Sequence, residues 1–210
     1  MGSETGRPDE QPVHMAEVAP FRMAITPVTV REYAEFLATD PVSVPPPWWG
    51  VPDFGDPQQP VVGVSWFDAA AFAAWLGDQS GGAWRLPLEA EWERAALGGQ
   101  GGAATAWGDT LPANEVPEGP LRGPWRVGQG TPNAYGLYDV GTIVHEWCLD
   151  AYRPYGANAS AATEGEAVLR RSSRGGSWRH RQRWSSPSAR SSLPPEFRYA
   201  DYGFRLVREV

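Results

Sequence analysis

The chain is organised around two stretches, Ser173-Arg174-Gly175-Gly176-Ser177-Trp178 and, near the C-terminus, Gly203-Phe204-Arg205-Leu206-Val207. Paired glycines allow positive φ angles or a close approach of two backbones. The segment between the two stretches is rich in arginine and aromatic residues. We interpret the first 170 residues as a scaffold and residues 178–202 as the segment that this scaffold displays.

Composition predicts one globular domain in a reducing compartment. The chain has 210 residues, of which 41% are hydrophobic and 20% are charged, and this balance favours a sizeable core over disorder. Its 24 glycines and 21 prolines indicate many turns. No apolar run is long enough to span a membrane, and the N-terminus has no signal-peptide pattern. The single cysteine, Cys148, excludes an internal disulfide framework, so we predict a cytoplasmic location.

Positive charge is concentrated near the C-terminus. All 18 basic residues are arginine, and ten of them lie within residues 170–208, beside two acidic residues, Glu196 and Asp201. The rest of the chain has 8 arginines against 23 acidic residues. Two interpretations remain open. The C-terminal segment binds an anionic ligand through its guanidinium groups, or its arginines pair with acidic residues of the same domain.

Three helices are predicted in the first half of the chain, over residues 29–38, 65–77 and 88–97. Thr29 and Ser65 each precede an apolar helical face and are followed three positions later by an acidic residue, which is the pattern of a capping box. Gly77 is expected to end the second helix.

Short strand-like runs dominate the second half, over residues 135–140, 143–149, 168–178 and 203–208. A first strand is expected between residues 13 and 25, and residues 1–12 are predicted to be a disordered leader before one domain over residues 13–210. Helices followed by short strands and long loops indicate an α+β domain with little regular secondary structure.

Several ordered segments between residues 20 and 208 resemble the formylglycine-generating enzyme (sulfatase-modifying factor) family, whose fold is an elaborated C-type-lectin-like domain. The matching segments are Thr26-Pro27-Val28-Thr29, Pro60-Val61-Val62-Gly63-Val64-Ser65-Trp66, Arg85-Leu86-Pro87-Leu88-Glu89-Ala90-Glu91-Trp92-Glu93, Trp107-Gly108-Asp109, Asn133-Ala134-Tyr135-Gly136-Leu137-Tyr138-Asp139, His145-Glu146-Trp147-Cys148-Leu149-Asp150, Arg174-Gly175-Gly176-Ser177-Trp178 and Gly203-Phe204-Arg205-Leu206. The resemblance implies a single domain of this fold. It also implies that Glu91, Glu146 and Arg205 are buried or half-buried charge partners.

The resemblance implies a copper site that this chain does not reproduce. Formylglycine-generating enzymes oxidise a substrate cysteine at a copper ion held by two cysteines, and those positions fall at His180 and Ser185 here. Two thiolates select Cu(I), and a His/Ser pair cannot replace them. We therefore predict no catalytic residues and no cofactor. A structural calcium ion near Thr142-Ile143 would lack the Asn carboxamide that the family has there.

The same fold is used for ligand display, including the bacterial variable proteins of diversity-generating retroelements, which vary the surface between a Gly-Gly-Ser-Trp-like and a Gly-Phe-Arg-like motif. We predict a binding module whose partner is a protein or an anionic ligand. The predicted contact residues are Trp178, Arg179, His180, Arg181, Arg183, Trp184, Arg190, Phe197 and Tyr199.

Other functions are weighed against this prediction. The alternative is an oxidoreductase of the same family that acts on a protein cysteine or another thiol with a non-thiolate metal site. The three histidines are His14, His145 and His180, and their spacing allows a facial triad only if the tertiary structure assembles one. Nucleic-acid binding is not favoured because no known binding fold is present, and no membrane partner is expected.

Overall fold

The computed structural model of the protein describes residues 1–117, 121–156, 170–180 and 186–210. Its helices are α1 (Val30–Thr39), α2 (Trp66–Ser80) and α3 (Glu89–Leu97), with short 3-10 helices at Pro8–Glu10 and Pro52–Phe54. Its strands are β1 (Phe21–Met23), β2 (Trp84–Arg85), β3 (His145–Ala151), β4 (Arg171–Arg174), β5 (Arg190–Leu193), β6 (Tyr202–Gly203) and β7 (Val207–Glu209). None of the helices in the described ranges combines the length and apolar character needed to cross a bilayer.

The strands form two small sheets. One has the order β5-β4-β3-β6, in which only the pair β3 and β6 is parallel. The other has the order β1-β7-β2 and is antiparallel. The prediction of an α+β domain with little regular secondary structure is confirmed.

Capping boxes begin the first two helices, as predicted. Glu32 Oε2 accepts from Thr29 N at 2.8 Å, and Ser65 Oγ accepts from Asp68 N at 3.1 Å. These contacts satisfy amide groups that have no partner inside the helix.

The predicted end of the second helix is wrong. α2 continues to Ser80 and ends at Gly81, whose φ of 69° is left-handed. Gly77 lies inside the helix, where an added Cβ would come within 2.8 Å of the Gly82 carbonyl oxygen. The chain therefore needs glycine at 77 because the segment after the helix folds back over it.

An aromatic cluster joins the helices to the C-terminal motif. Phe72 of α2 stacks on Tyr33 of α1 with 5.7 Å between ring centroids, and meets Phe204 edge-on at 5.5 Å. All three rings are at most 2% exposed. Phe204 of the Gly-Phe-Arg motif is thus a core residue, and its burial fixes the chain on either side of it.

Two strand predictions are corrected by local geometry. Residues 135–140 form no strand because Asn133 Oδ1 accepts from the amides of Tyr135 and Leu137, which holds a turn. β4 ends at Arg174, because the next residue, Gly175, has a φ of 78°. Residues 168 and 169 of that predicted run lie outside the described ranges.

The N-terminal segment packs on the domain where the sequence predicts a disordered leader. Glu10 is 4% exposed and accepts a hydrogen bond from Ser188 Oγ at 2.6 Å. The amide of Gly2 donates to Glu93 Oε1 at 2.7 Å. The residues that hold this segment lie far along the chain, so the composition of the segment itself does not predict that it packs on the domain.

Candidate ligand-binding surface

The paired glycines set the path of the chain into the displayed segment, residues 178–202. Gly175 has no room for a side chain, because an added Cβ would lie 2.7 Å from Gly141 Cα and 3.2 Å from the Trp92 ring. The amide of Trp178 then donates to the Ile143 carbonyl at 3.0 Å. Close backbone packing therefore explains the glycine in this motif and fixes the position at which Trp178 leaves the core.

Trp178 is mainly an anchor. Its ring is half-buried and meets Phe54 at 6.0 Å, and its indole N–H donates to the Ala200 carbonyl at 3.1 Å. The guanidinium of Arg179 lies 5.3 Å from the ring centroid. Of the predicted contact residues, Trp178 thus offers only part of its ring to a ligand.

Four predicted contact residues are exposed. The side chains of Arg179 and His180 are 50% and 40% exposed. Phe197 and Tyr199 are 42% and 41% exposed. Large aromatic rings at this level of exposure are available to a partner.

A continuous series of ring contacts joins these residues. Phe197 lies 6.1 Å from Tyr199, and Tyr199 lies 6.1 Å from Tyr202. Tyr202 lies 4.8 Å from His145, which lies 5.0 Å from His180. The structure therefore brings Phe197 and Tyr199 into one aromatic row with His180.

Arg190 is not a surface residue, which corrects the prediction. It is 2% exposed, and its Nε and Nη2 donate to the two oxygens of Glu89 at 2.9 and 2.7 Å. The ring of Tyr155 lies 3.9 Å from its guanidinium carbon. Internal pairing satisfies its guanidinium, so this side chain stabilises the domain.

Arg174 shares the same buried carboxylate. Its Nε donates to Glu89 Oε2 at 2.9 Å, and its Nη1 donates to Glu93 Oε2 at 2.8 Å. Burial opposes ionisation of Glu89, but the charges of Arg174 and Arg190 outweigh it and hold its pKa below the ordinary value. Arg174 and Arg190 thus follow the second interpretation of the arginine-rich C-terminal segment: they pair with acidic residues of the same domain.

The remaining predicted contact residues, Arg181, Arg183 and Trp184, lie outside the described residues, as does Ser185. The structure adds two residues that were not predicted as contacts, His145 and Asp201. Their spacing along the chain gives no signal, because only the tertiary structure brings them next to His180.

His145, His180 and Asp201 converge, and one possible metal-binding atom of each lies within 4.8 Å of the others. His145 is 8% exposed and Asp201 is 6% exposed. Burial lowers the pKa of His145 to about 4, although the charge of Asp201 opposes this shift, so the ring is neutral at pH 7. Two imidazoles and one carboxylate are a ligand set used for zinc and for non-haem iron.

A cavity of about 240 Å³ opens beside this cluster. His145 and His180 line it, together with Arg7, Gly175, Ala189, Arg190 and Ser191. Its volume suits a small ligand, and it lies at the inner end of the aromatic row.

The thiolate copper site that the resemblance implies does not fit these residues. His180 supplies imidazole at one expected position, and the single cysteine is on β3. Cys148 is fully buried beside Trp92 and Leu137, and burial raises the pKa of its thiol well above the ordinary value. A buried neutral thiol cannot serve as one of two copper-binding thiolates.

The implied calcium ligand is also missing. Thr142 Oγ1 donates to Glu115 Oε1 at 3.3 Å, and the side chain of Ile143 is buried and apolar. Neither side chain replaces the carboxamide oxygen that the resemblance places there.

Comparison with known proteins identifies relatives over the whole chain. Residues 1–210 match the family model described as a sulfatase-modifying factor enzyme 1-like domain. Formylglycine-generating enzyme of Thermomonospora curvata is 34% identical over 198 residues, covering 80% of this chain and 63% of the relative. The same enzyme of Streptomyces coelicolor is 30% identical, covering 96% and 82%. Inactive C-alpha-formylglycine-generating enzyme 2 of Mus musculus is 31% identical, covering 74% and 67%.

Solved structures agree with this fold. PvdO from Pseudomonas aeruginosa superposes with a TM-score of 0.81 at 26% identity, covering 100% of this chain and 90% of that one. Treponema denticola variable protein 1 gives a TM-score of 0.81 at 24% identity, covering 100% and 91%. The same fold thus occurs in proteins with different names.

Proposed function

The chain belongs to the formylglycine-generating enzyme (sulfatase-modifying factor) family, and from that premise we propose that it is a binding module. Its binding surface comprises Arg179, His180, Phe197 and Tyr199. The observation that carries the proposal is the row of ring contacts that begins at two exposed aromatic residues and ends at an exposed histidine.

The backbone behind this surface is held firmly, which favours binding. The Tyr199 carbonyl accepts from Gly63 N at 3.0 Å, and the Pro195 carbonyl accepts from Trp66 N at 2.9 Å. Arg198 Nη2 donates to Asp68 Oδ1 at 2.8 Å. A surface that is already ordered loses little conformational entropy when a partner binds.

The chemistry of the surface favours a protein partner with an anionic group. Aromatic residues and arginine dominate binding hot spots. Arg179 offers bidentate hydrogen bonds to a carboxylate or phosphate, and Asp201 Oδ1 lies 4.0 Å from its Nη1. An acidic segment that also carries an aromatic or apolar side chain would engage both parts of the surface.

Peptide binding tests this proposal. The full chain, kept in a chelator, is applied to an array of synthetic peptides that combine aspartate, glutamate or phosphotyrosine with aromatic residues, with lysine-rich peptides of equal length for comparison. We expect acidic peptides to bind. Arg179→Ala, Phe197→Ala and Tyr199→Ala should each lower the affinity for the tightest-binding peptide at least about tenfold. Tyr135→Ala is the matched control. Tyr135 is also an exposed aromatic residue, at 53%, but it lies beside Gly99 and is not part of the proposed binding surface.

Three results would contradict the proposal: no acidic peptide binds, lysine-rich peptides bind equally well, or the surface variants bind as tightly as the Tyr135→Ala control. A finer form of the proposal is that this binding module is a variable protein diversified by a retroelement, and this form has a separate genomic test. It requires a reverse transcriptase gene beside a near-copy of the segment that encodes residues 179–202, with differences at adenines.

A second candidate is an oxidoreductase that acts on a protein cysteine or another thiol at a non-thiolate metal site. The convergence of His145, His180 and Asp201 favours it. In the reaction, dioxygen supplies one oxygen atom to the cysteine side chain, which becomes an aldehyde and releases hydrogen sulfide. Two further thiols are oxidised to a disulfide and reduce the second oxygen atom to water.

Mass spectrometry tests the second candidate. The protein is incubated in air with Fe(II) or Cu(I), a cysteine-containing peptide and excess dithiothreitol. An aldehyde that forms with the wild type and is lost in His180→Ala supports the candidate. An aldehyde yield equal to that of the metal without protein contradicts it.

A further inference from the structure

We propose that His145, His180 and Asp201 bind a divalent first-row transition-metal ion, with open coordination positions facing the adjacent cavity. This site does not depend on the binding function proposed above. The second candidate function depends on it.

The three ligands come from different parts of the chain, and backbone hydrogen bonds hold the segments that carry them. His145 begins β3, and Asp201 directly precedes β6, the parallel neighbour of β3. The amide of His145 donates to the Asp201 carbonyl at 2.9 Å. His180 N donates to the Ser177 carbonyl at 2.8 Å, so a turn after the Gly-Gly-Ser motif carries the third ligand.

The side chains of the two buried ligands, His145 and Asp201, are each oriented by a contact with a neighbouring residue. His145 Nδ1 lies 2.6 Å from the Gly175 carbonyl oxygen. Since a carbonyl only accepts, Nδ1 carries the proton and Nε2 keeps the lone pair that binds a metal. Asp201 Oδ2 accepts from Ser177 Oγ at 3.0 Å. Metal-binding histidines and carboxylates in proteins are held by outer partners of this kind.

The distances require a small closure. Ligand atoms about 2.0–2.2 Å from one ion lie roughly 3–4 Å apart, and these atoms lie within 4.8 Å of one another. His180 Nε2 is already 3.8 Å from Asp201 Oδ2. Because the His180 side chain is 40% exposed, a change of rotamer brings it to the ion without disturbing the core.

The donor types select the metal. Two imidazoles disfavour calcium and magnesium, which take oxygen ligands. Zinc and ferrous iron accept two imidazoles and a carboxylate and keep positions open for an outside ligand. The cavity of about 240 Å³ gives that ligand room.

Metal titration tests the site. Untagged full chain, freed of metal with a chelator and dialysed, is titrated with Zn²⁺ by calorimetry and with Co²⁺ by visible absorption, which reports the coordination number of the bound ion. We expect one ion per chain, with affinity lowered at least about tenfold in His180→Ala and in Asp201→Asn. His14→Ala is the matched control. It removes an imidazole whose Nδ1 contacts the Pro12 carbonyl, outside the cluster.

Three outcomes would overturn the site: neither metal binds, His180→Ala binds as tightly as the wild type, or His14→Ala abolishes binding. Circular dichroism shows whether each variant folds, and Ser177→Ala adds a variant that leaves all three ligands in place. This variant should lower the affinity for Zn²⁺ by about tenfold. Since no peptide is present, failure here leaves the peptide-binding proposal to its own test.

Discussion

Arg205 and Glu146 form an ion pair in which both side chains are fully buried, with Nε of the arginine 2.7 Å from Oε2 of the glutamate. A second contact joins Nη2 to Oε1 at 2.9 Å, and Trp92 Nε1 also donates to Oε2 at 2.6 Å. The Gly-Phe-Arg motif is therefore tied to the His-Glu-Trp strand and to α3 by one carboxylate.

Breaking this pair should destabilise the protein strongly. Glu146→Gln keeps an acceptor for Trp92 but removes the charged partner of the buried Arg205. We expect a loss of about 3–5 kcal/mol in the free energy of unfolding, measured in urea. Adding Arg205→Met should recover part of it. The control Arg126→Gln removes an exposed contact with Asp56 and should change stability by less than about 1 kcal/mol. Equal effects of Glu146→Gln and Arg126→Gln would refute the prediction.

Two arginines of the C-terminal segment should behave in opposite ways. Arg190→Ala leaves Glu89 with one of its two buried partners and should cost about 3 kcal/mol of stability. Arg179→Ala removes a half-exposed side chain and should stay within about 0.5 kcal/mol of the wild type. Urea unfolding of both variants checks this contrast, which fails if Arg190→Ala is as stable as Arg179→Ala.

Glu115 should make stability depend on pH. Burial raises its pKa to about 7, and the charge of Asp139 adds to the shift, while hydrogen bonds from Thr131 and Thr142 oppose it. The folded-state pKa of Glu115 exceeds its unfolded value. The contribution of its carboxyl to the free energy of unfolding is therefore fully present below about pH 4.5 and is lost as the pH rises through about 7. Glu115→Gln should therefore gain about 2 kcal/mol relative to the wild type between pH 5 and pH 8, allowing for solvent screening.

The measurement for Glu115 is the difference in unfolding free energy between variant and wild type at each pH. Taking the difference cancels other groups with shifted pKa values, such as Asp150. A difference that stays constant with pH would show that Glu115 does not titrate in this range.

Cys148 should be inert in the folded protein. It is fully buried, and burial, with the charge of Glu89, raises the pKa of its thiol. We expect a disulfide reagent to react at least about a hundredfold more slowly with the native protein than with the protein in urea. Equal rates in the two conditions would mean that the thiol is accessible, which would reopen a role for it in metal binding.

Local patterns in the sequence were sufficient for the helices and for the scaffold motifs. The capping boxes at Thr29 and Ser65 involve residues three positions apart, so the sequence contains both partners. The family motifs predict that Arg205 and Glu146 are buried charge partners. The sequence does not predict the role of Gly77, because the contact that requires glycine there, with Gly82, depends on the path of the chain after the helix.

Residue identity and local spacing are enough to establish the family, the α+β fold and the loss of the cysteine pair. The tertiary structure sets which charged side chains are buried and which of them meet. It paired Arg190 with Glu89 inside the domain and left Arg179 exposed. It also placed His145 and Asp201 beside His180, through the parallel pairing of β3 and β6 and the turn after the Gly-Gly-Ser motif. The physical reason is that ion pairing and metal ligation depend on distances of a few ångströms between groups far apart in the chain, and local sequence patterns do not encode those distances.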